Sequence, residues 1–387
     1  MKSVYYSNKF ILCLSIIAVC LPAAFISQIG CGAVISLLKY MGIIFSIMYF
    51  IHWKMFNKRI LMPIFLFFTW ELISTVLAGT SLTDLLKVLY PLVTVIVCTY
   101  IYCTLDFIKT VRFLSYMFCF MAVMNIISFI QGGYATTEWN VIYFIGIRVN
   151  INGMFLASTS ISLLNAYLGK RSDKVICIIQ IVLNLIFIVS EWVSTSILSA
   201  LLFAGVLLFS WMIHRWPARG KVFRRIGIVL LFLILIFMIN PDVSRFSWLI
   251  EGFLGESLTL DGRTVLWQHA LSQLGGVDWL FGRGYGNDAL FEIGNGFVAT
   301  TAHSQYINIL FRHGFVGLAF YAIILIQQIR NATTCENTVV QAIMMASFIA
   351  TIAMNIVNST YLEGYIYIWW IVCLLYLRND FIIGCES

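Results

Sequence analysis

The feature that most constrains this chain is a succession of apolar runs, each close to the length needed to cross a bilayer. A helix spanning the hydrocarbon takes about 20 mostly apolar residues. Runs of that kind fall near 9–28, 35–53, 60–78, 84–103, 112–131 and 149–168. Six more fall near 174–190, 193–213, 223–240, 303–327, 338–357 and 361–378, with only Ser190–Glu191 dividing 174–213. Composition points the same way: 61% of the 387 residues are hydrophobic and 11% are charged, against about 45–50% and 25% in soluble domains. One water-facing surface cannot hide that much apolar side chain. A soluble enzyme, a nucleic-acid-binding domain and a disordered chain are excluded. The expected fold is an all-α polytopic membrane protein of about twelve transmembrane helices, one integral domain over residues 1–387.

The basic residues orient these runs. Cytoplasmic loops are enriched in Lys and Arg. With the N-terminus inside, inner segments hold 17 of them, including five in 215–225, whereas the outer ones hold Arg148, Arg245, Arg263 and Arg283. Both termini are expected in the cytoplasm, and the net charge of +7 is topological, with no nucleic-acid partner implied. The first run follows Lys2 and Lys9 and ends without a small-residue cleavage site, so it reads as a retained span. Most of the ten cysteines lie in apolar runs, with no CxxC pair or metal-ligand spacing, and read as packing residues.

One connection breaks the pattern of short loops. Residues 241–302 form an outer loop with seven acids and three arginines, and a smaller outer segment covers 132–148. Long loops of this kind usually carry function. No repeat is visible, and no mirrored pair of broken helices marks a repeat-built transporter.

Charge near the outer face is costly and therefore informative. Arg148 opens the sixth run beside Asn150, Asn152 and Gly153. In the large loop, Asp261 is a candidate N-cap, and Arg263, Trp267, Ala270 and Leu274 form one stripe of an amphipathic helix suited to the membrane surface. Gly282, Gly284 and Gly286 alternate in WLFGRGYGND, which permits a tight turn and close backbone approach. His303 stands at the start of the tenth run, followed by Gln305, Asn308 and Arg312 on one helix face. Each has a plainer reading: snorkelling for Arg148, Arg283, Lys39 and Lys87, belt aromatics for Trp267 and Trp279, helix packing for Gly314 and Gly317, and a packed or wet ring for His313. Glu71, within the third run, fits no account well.

The series DGRT..LW, FGRGYGN and AHSQYINILFRHGFVGL resembles the O-antigen polymerase and ligase superfamily of bacterial membranes, its Wzy-type polymerase branch most, and RVNINGMFLA looks like a degenerate form of an earlier family segment. The motifs cover about 143–160 and 258–320. Where many relatives carry an arginine after the seventh span, this chain has Ser194, Thr195 and Ser196, and Ser304 follows the histidine where Asn is frequent. The resemblance implies a fold like the C-type membrane glycosyltransferases, needing neither metal nor other cofactor. Its donor and acceptor would be undecaprenyl-diphosphate-linked oligosaccharides in the plasma membrane, among membrane lipid, with a chain-length regulator protein as a candidate partner. It also implies roles: His303 and Arg263 catalytic; Arg148, Arg263, Arg283 and Arg312 on the diphosphate; Trp267, Tyr306 and Tyr285 against sugar rings. A ligase that moves finished glycan to lipid A core or another acceptor shares this donor chemistry. A lipid-linked oligosaccharide flippase and a pure scaffold are the readings from other classes.

Overall fold

Inside a bilayer no water satisfies the backbone, so each apolar run closes its hydrogen bonds within itself as a helix. The computed structural model of the chain describes residues 2–22, 25–26, 30–53, 58–136, 141–213, 219–239, 263–286, 291–293, 297–299, 301–360 and 363–383. Among them run α1 (Lys2–Cys20), α2 (Gly32–Trp53), α3 (Lys58–Leu77), α4 (Leu82–Leu105), α5 (Phe107–Ile130) and α6 (Ile151–Leu168). They are followed by α7 (Arg171–Ser190), α8 (Ser194–Met212) and α9 (Arg219–Ile239), then the short α10 (Arg263–Ser272) and α11 (Asp278–Phe281). The chain closes with α12 (Gln305–Thr334), α13 (Thr338–Val357) and α14 (Gly364–Ile383). Eight of these helices are long and apolar enough to cross a membrane. The protein is an all-α polytopic membrane protein.

The ends of the helices follow local chemistry. The first run stops at Cys20 and not at 28, because Pro22 cannot continue the ladder. The short Ser190–Glu191 interruption does separate two helices, through Trp192 at φ 46°. Asp106 joins α4 to α5 by accepting from the Lys109 N–H (3.2 Å), and Asn337 caps α13 by accepting from Val339 and Val340 (3.1 and 3.2 Å).

Packing sorts the helices by enclosure. α13 buries 78% of its apolar window, against 22% for α2 and α8, which turn Leu37, Ile47, Leu201 and Leu208 outward as lipid-facing residues do. α13 packs on α8, α12 and α6; α14 packs on α4 and α6; α12 lies along α3. Buried serines on α6 make the polar seam at the centre. Ser162 meets Ser115 of α5 (3.0 Å) and Gln180 of α7, and Asn184 Nδ2 donates to Ser158 (3.4 Å). Small hydroxyl residues let helices approach closely and bond across. Ser196 of α8 likewise donates to Asn152 at the start of α6.

One end of the bundle carries an Arg112–Asp173 pair (3.2 Å). The other, the loop end, carries the antiparallel sheet β1 (Ala135–Thr136), β2 (Val141–Tyr143) and β3 (Gly146–Ile147), with Ala135 opposite Ile142 and Tyr143 opposite Gly146. A hairpin of β4 (Phe291–Ile293) and β5 (Phe297–Ala299) lies there too. Asp261, Arg245 and the rest of 240–262 lie outside the described residues.

Candidate functional site

α12 is two helices meeting at a break. Gly314 sits at φ 64° and ψ −170°, a region closed to nearly every residue with a Cβ. The break releases three carbonyls from the helical ladder, and each finds a new donor. The Arg283 N–H donates to Phe311 O (2.9 Å), the Gly284 N–H to Arg312 O (2.9 Å), and Trp70 Nε1 to His313 O (2.8 Å). The glycine-rich segment after α11 thus replaces the missing helical turn. Gly282, at φ 76° and ψ −179°, makes the approach feasible: a Cβ there would strike the Arg312 and His313 backbone. A Cβ on Gly314 would strike the Leu280 carbonyl in turn. Gly284 also lies close against Thr75, Ala78 and Thr80, whereas no described residue crowds Gly286. Gly314 therefore serves the close packing expected of it, against the backbone of α11, and in addition breaks the helix. Gly317 does serve packing, against Trp70 and His313.

The break also turns Arg312 and His313 toward α3. His313 Nε2 lies 3.4 Å from Glu71 Oε1, and its Nδ1 is 2.8 Å from Ser74 Oγ, all buried. The Arg312 guanidinium stands over the Tyr285 ring at 5.0 Å, and its charge acts on both Glu71 and His313. Tyr285 is fixed from the other side, its N–H donating to Thr75 Oγ1 (3.2 Å). Both Glu71 oxygens are buried without a hydrogen-bond partner. A carboxyl group so placed stays protonated or is held by a neighbouring cation; Arg312 is that cation, and the His313 ring completes the contact. This is the account that Glu71 lacked in the sequence. A depth argument finds it there: Glu71 is six residues before the end of α3 and Arg312 seven after the start of α12, so both lie roughly 10 Å from their helix ends.

Above this buried group, His303 is exposed at the start of α12. Its φ of 50° is rare for a residue with a side chain and costs about 1–3 kcal/mol. The neighbours enforce it. Ala302 is pinned on both sides, its carbonyl accepting from Trp267 Nε1 (2.7 Å) and its N–H donating to Asn308 Oδ1 (2.8 Å). The Gln305 N–H donates to Asn358 O (3.0 Å), while its Oε1 accepts from the Thr360 N–H (2.9 Å). Loss of water around the ring, and then the Arg263 guanidinium, push the His303 pKa below its ordinary value of 6.5. The imidazole is neutral at pH 7 and able to accept a proton.

α10 carries Arg263 and docks on protein, which corrects the expectation of a helix lying on the membrane surface. Trp267 and Ala270 have no exposed area and Leu274 has 7%, so the apolar stripe is buried beneath the His303 loop. Trp267 consequently presents no ring face to a sugar; it is a strut for Ala302. Trp267→Phe keeps most of the packing and strands the buried Ala302 carbonyl. The expected cost is about 1–3 kcal/mol, read as a lower thermal midpoint of the purified protein.

The remaining expected residues divide. Tyr306 is 2% exposed, with its hydroxyl donating to Ile352 O (3.2 Å), so burial corrects its assignment to sugar stacking. Arg283 lies over Phe311 (5.8 Å) and donates to Gln273 Oε1 (3.0 Å), near the rim. Arg148 turns elsewhere, to the Glu191 carbonyl (3.4 Å) beside Tyr143, and no contact among the described residues links it to Arg263 or His303. No cluster of three or more metal-ligating side chains occurs among the described residues. No family model matches the chain, and neither a curated protein nor a solved structure matches it.

Proposed function

We propose that the chain is a plasma-membrane polysaccharide polymerase. It would transfer a growing undecaprenyl-diphosphate-linked glycan to a sugar hydroxyl of a lipid-linked repeat unit. In this reading the twelve long helices are all spans, both termini are cytoplasmic, and the loop end faces outward. The observation that carries it is the juxtaposition at the loop end: a strained, exposed, neutral His303 under the charge of Arg263. Beneath them lies the Arg312–Glu71–His313 group.

The chemistry follows from those positions. His303 takes the proton of the acceptor hydroxyl as its oxygen forms the new glycosidic bond. The bond from the anomeric carbon to the phosphate oxygen breaks, and its electron pair leaves with the lipid diphosphate. Arg263 and Arg283 meet that growing charge at the rim, where guanidinium forks bind phosphate oxygens bidentately. Arg312, held between Tyr285 and Glu71, adds positive potential from below.

His303→Ala is expected to lower turnover about 10²–10⁴-fold with donor-lipid binding retained. Lost binding instead would move His303 to the donor site. The acid limb of the wild-type pH profile should lie below pH 6.5, since the neutral ring persists there. Neutralising Arg263 in R263Q removes one cause of that shift, so carbethoxylation of His303 should then fall off at a higher pH than in wild type. The test of the reading itself is reconstitution: the purified chain in vesicles with lipid-linked repeat units should yield a ladder of lipid-linked polymer. Transfer only to a different acceptor would make it a ligase, and movement of repeat units across the bilayer without new bonds would make it a flippase.

A further inference from the structure

α11 belongs to the long loop between α9 and α12, yet its contacts on the neighbouring helices are deep ones. α3 has 20 residues, about 30 Å of helix, which equals the thickness of the hydrocarbon. Trp70 lies seven residues before its end at Leu77, roughly 10 Å inside, and the Trp70 ring packs on Phe281 of α11 (centroids 5.9 Å). α12 gives an independent measure of depth. Its 30 residues span about 45 Å, so about 8 Å at each end projects beyond the hydrocarbon. Trp279 of α11 stacks on Phe315 (5.8 Å), which stands roughly 15 Å down α12 from Gln305.

The backbone at this depth is bonded as hydrocarbon requires, where no water is at hand for an N–H. The N–H groups of Asp278, Leu280, Phe281 and Gly282 donate within the turn, to the carbonyls of Gly275, Val277, Val277 and Asp278. Those of Arg283 and Gly284 donate to α12. The side chains, by contrast, turn apolar surface outward: Val277 is 68% and Leu280 51% exposed, and Phe281 is exposed beside them. The three share one side of the turn by their spacing, and Asp278 stands about 100° around it from Val277. Trp279 joins this surface to Phe315, and exposed Ile323 and Ile326 continue it down α12 as a lipid-facing row.

We infer that the connection from α10 to α12 is re-entrant: α11 lies within the bilayer leaflet at the loop end, with Val277, Leu280 and Phe281 against lipid acyl chains. Depth and continuity select lipid as the partner, since the surface lies below the headgroups by both measures and runs into the lipid-facing row of α12. The Arg283 N–H bonds Phe311, roughly 9 Å down α12, which sets the start of the site at the headgroup boundary. The placement of α11 does not depend on the polymerase reading. Under that reading, a lipid-linked diphosphate meets Arg283 without leaving the leaflet.

The test uses the full chain in phospholipid nanodiscs, with nitroxide labels introduced by Val277→Cys, Asp278→Cys or Leu280→Cys in a C31S, C385S background. The described cysteines that remain are buried or half-buried. Collisions with oxygen, which concentrates among acyl chains, are compared with those of a water-soluble nickel chelate. Labels at 277 and 280 are expected to favour oxygen, as one from Ile326→Cys does, with several-fold less nickel access than one from Ser272→Cys. The label at 278 should meet nickel more often than the one at 280. Wild-type protein is measured beside them with an apolar diazirine dissolved in the bilayer, which should label the peptide holding 277–281. Nickel access at 280 equal to that at 272 puts α11 in water and overturns the inference. Low collision rates with both reagents mean that protein covers the turn, a loop segment or a second copy, and overturn it as well. Equal nickel access at 278 and 280, or an unlabelled wild-type peptide, has the same consequence. Because no donor lipid or turnover enters the measurement, it fails independently of the polymerase reading.

Discussion

Arg263→Ala is expected to abolish polymer formation while the protein inserts and folds normally. Arg263 begins α10, is half-buried, and acts electrostatically on His303. It contributes little to the core, whose anchor on this helix is Trp267. Its removal should therefore leave the thermal midpoint near wild type. The loss falls on the transition state, where a lipid diphosphate gains charge. Deleting one preorganised donor to a developing anion costs about 10²–10³-fold in other enzymes, roughly 3–4 kcal/mol. Here the same change also raises the pKa of the base, which compounds the loss in acid. Arg263→Lys should recover part of the rate, since a point charge keeps the field but not the fork. Turnover of R263A at the wild-type rate, measured on protein of normal abundance, would remove Arg263 from the mechanism.

The second large effect is expected where two backbones cross. Gly282→Val and Gly314→Val each place a side chain in a conformation open to glycine alone and drive it into the opposing chain. Backbone strain of about 1–3 kcal/mol adds to overpacking of about 1–3 kcal/mol. A combined cost of several kcal/mol comes close to the total stability of many domains. Either variant should appear as a lower thermal midpoint and a lower yield of monodisperse protein, with turnover lost because Arg312 and His313 no longer face Glu71. Gly286→Ala provides the comparison: its φ is 88°, but no atom of a described residue lies within 4 Å of the new Cβ. It should cost much less. Equal damage at 286 and 282 would mean that the crossing does not organise this end of the bundle.

The helices were legible because hydrophobic length is a direct consequence of bilayer thickness; even the narrow division between α7 and α8 falls at Ser190 as expected. The glycine pattern at 282–284 was legible as close backbone approach, but not its partner. Nothing local to FRHGF states that its carbonyls would be taken by Arg283 and Gly284, because that pairing is made across the fold. The stripe on α10 is legible as one apolar face but not as a protein-facing one: periodicity reports that a face is buried, not what buries it. The aromatic rings of Tyr306 and Trp267 suit sugar stacking and core packing equally in the sequence, and their buried hydrogen bonds decide for structure. Glu71 was visible as a buried charge, yet its meaning needed Arg312 and His313, some 240 residues away in sequence.

The central claim is that the chain extends polysaccharide on a lipid carrier, and its most direct test is a gel of surface polysaccharide and lipid-linked glycan from the native host with this gene deleted. The account predicts a single repeat unit in place of the ladder, restored by the wild-type gene and not by R263A or H303A. An unchanged ladder would contradict it.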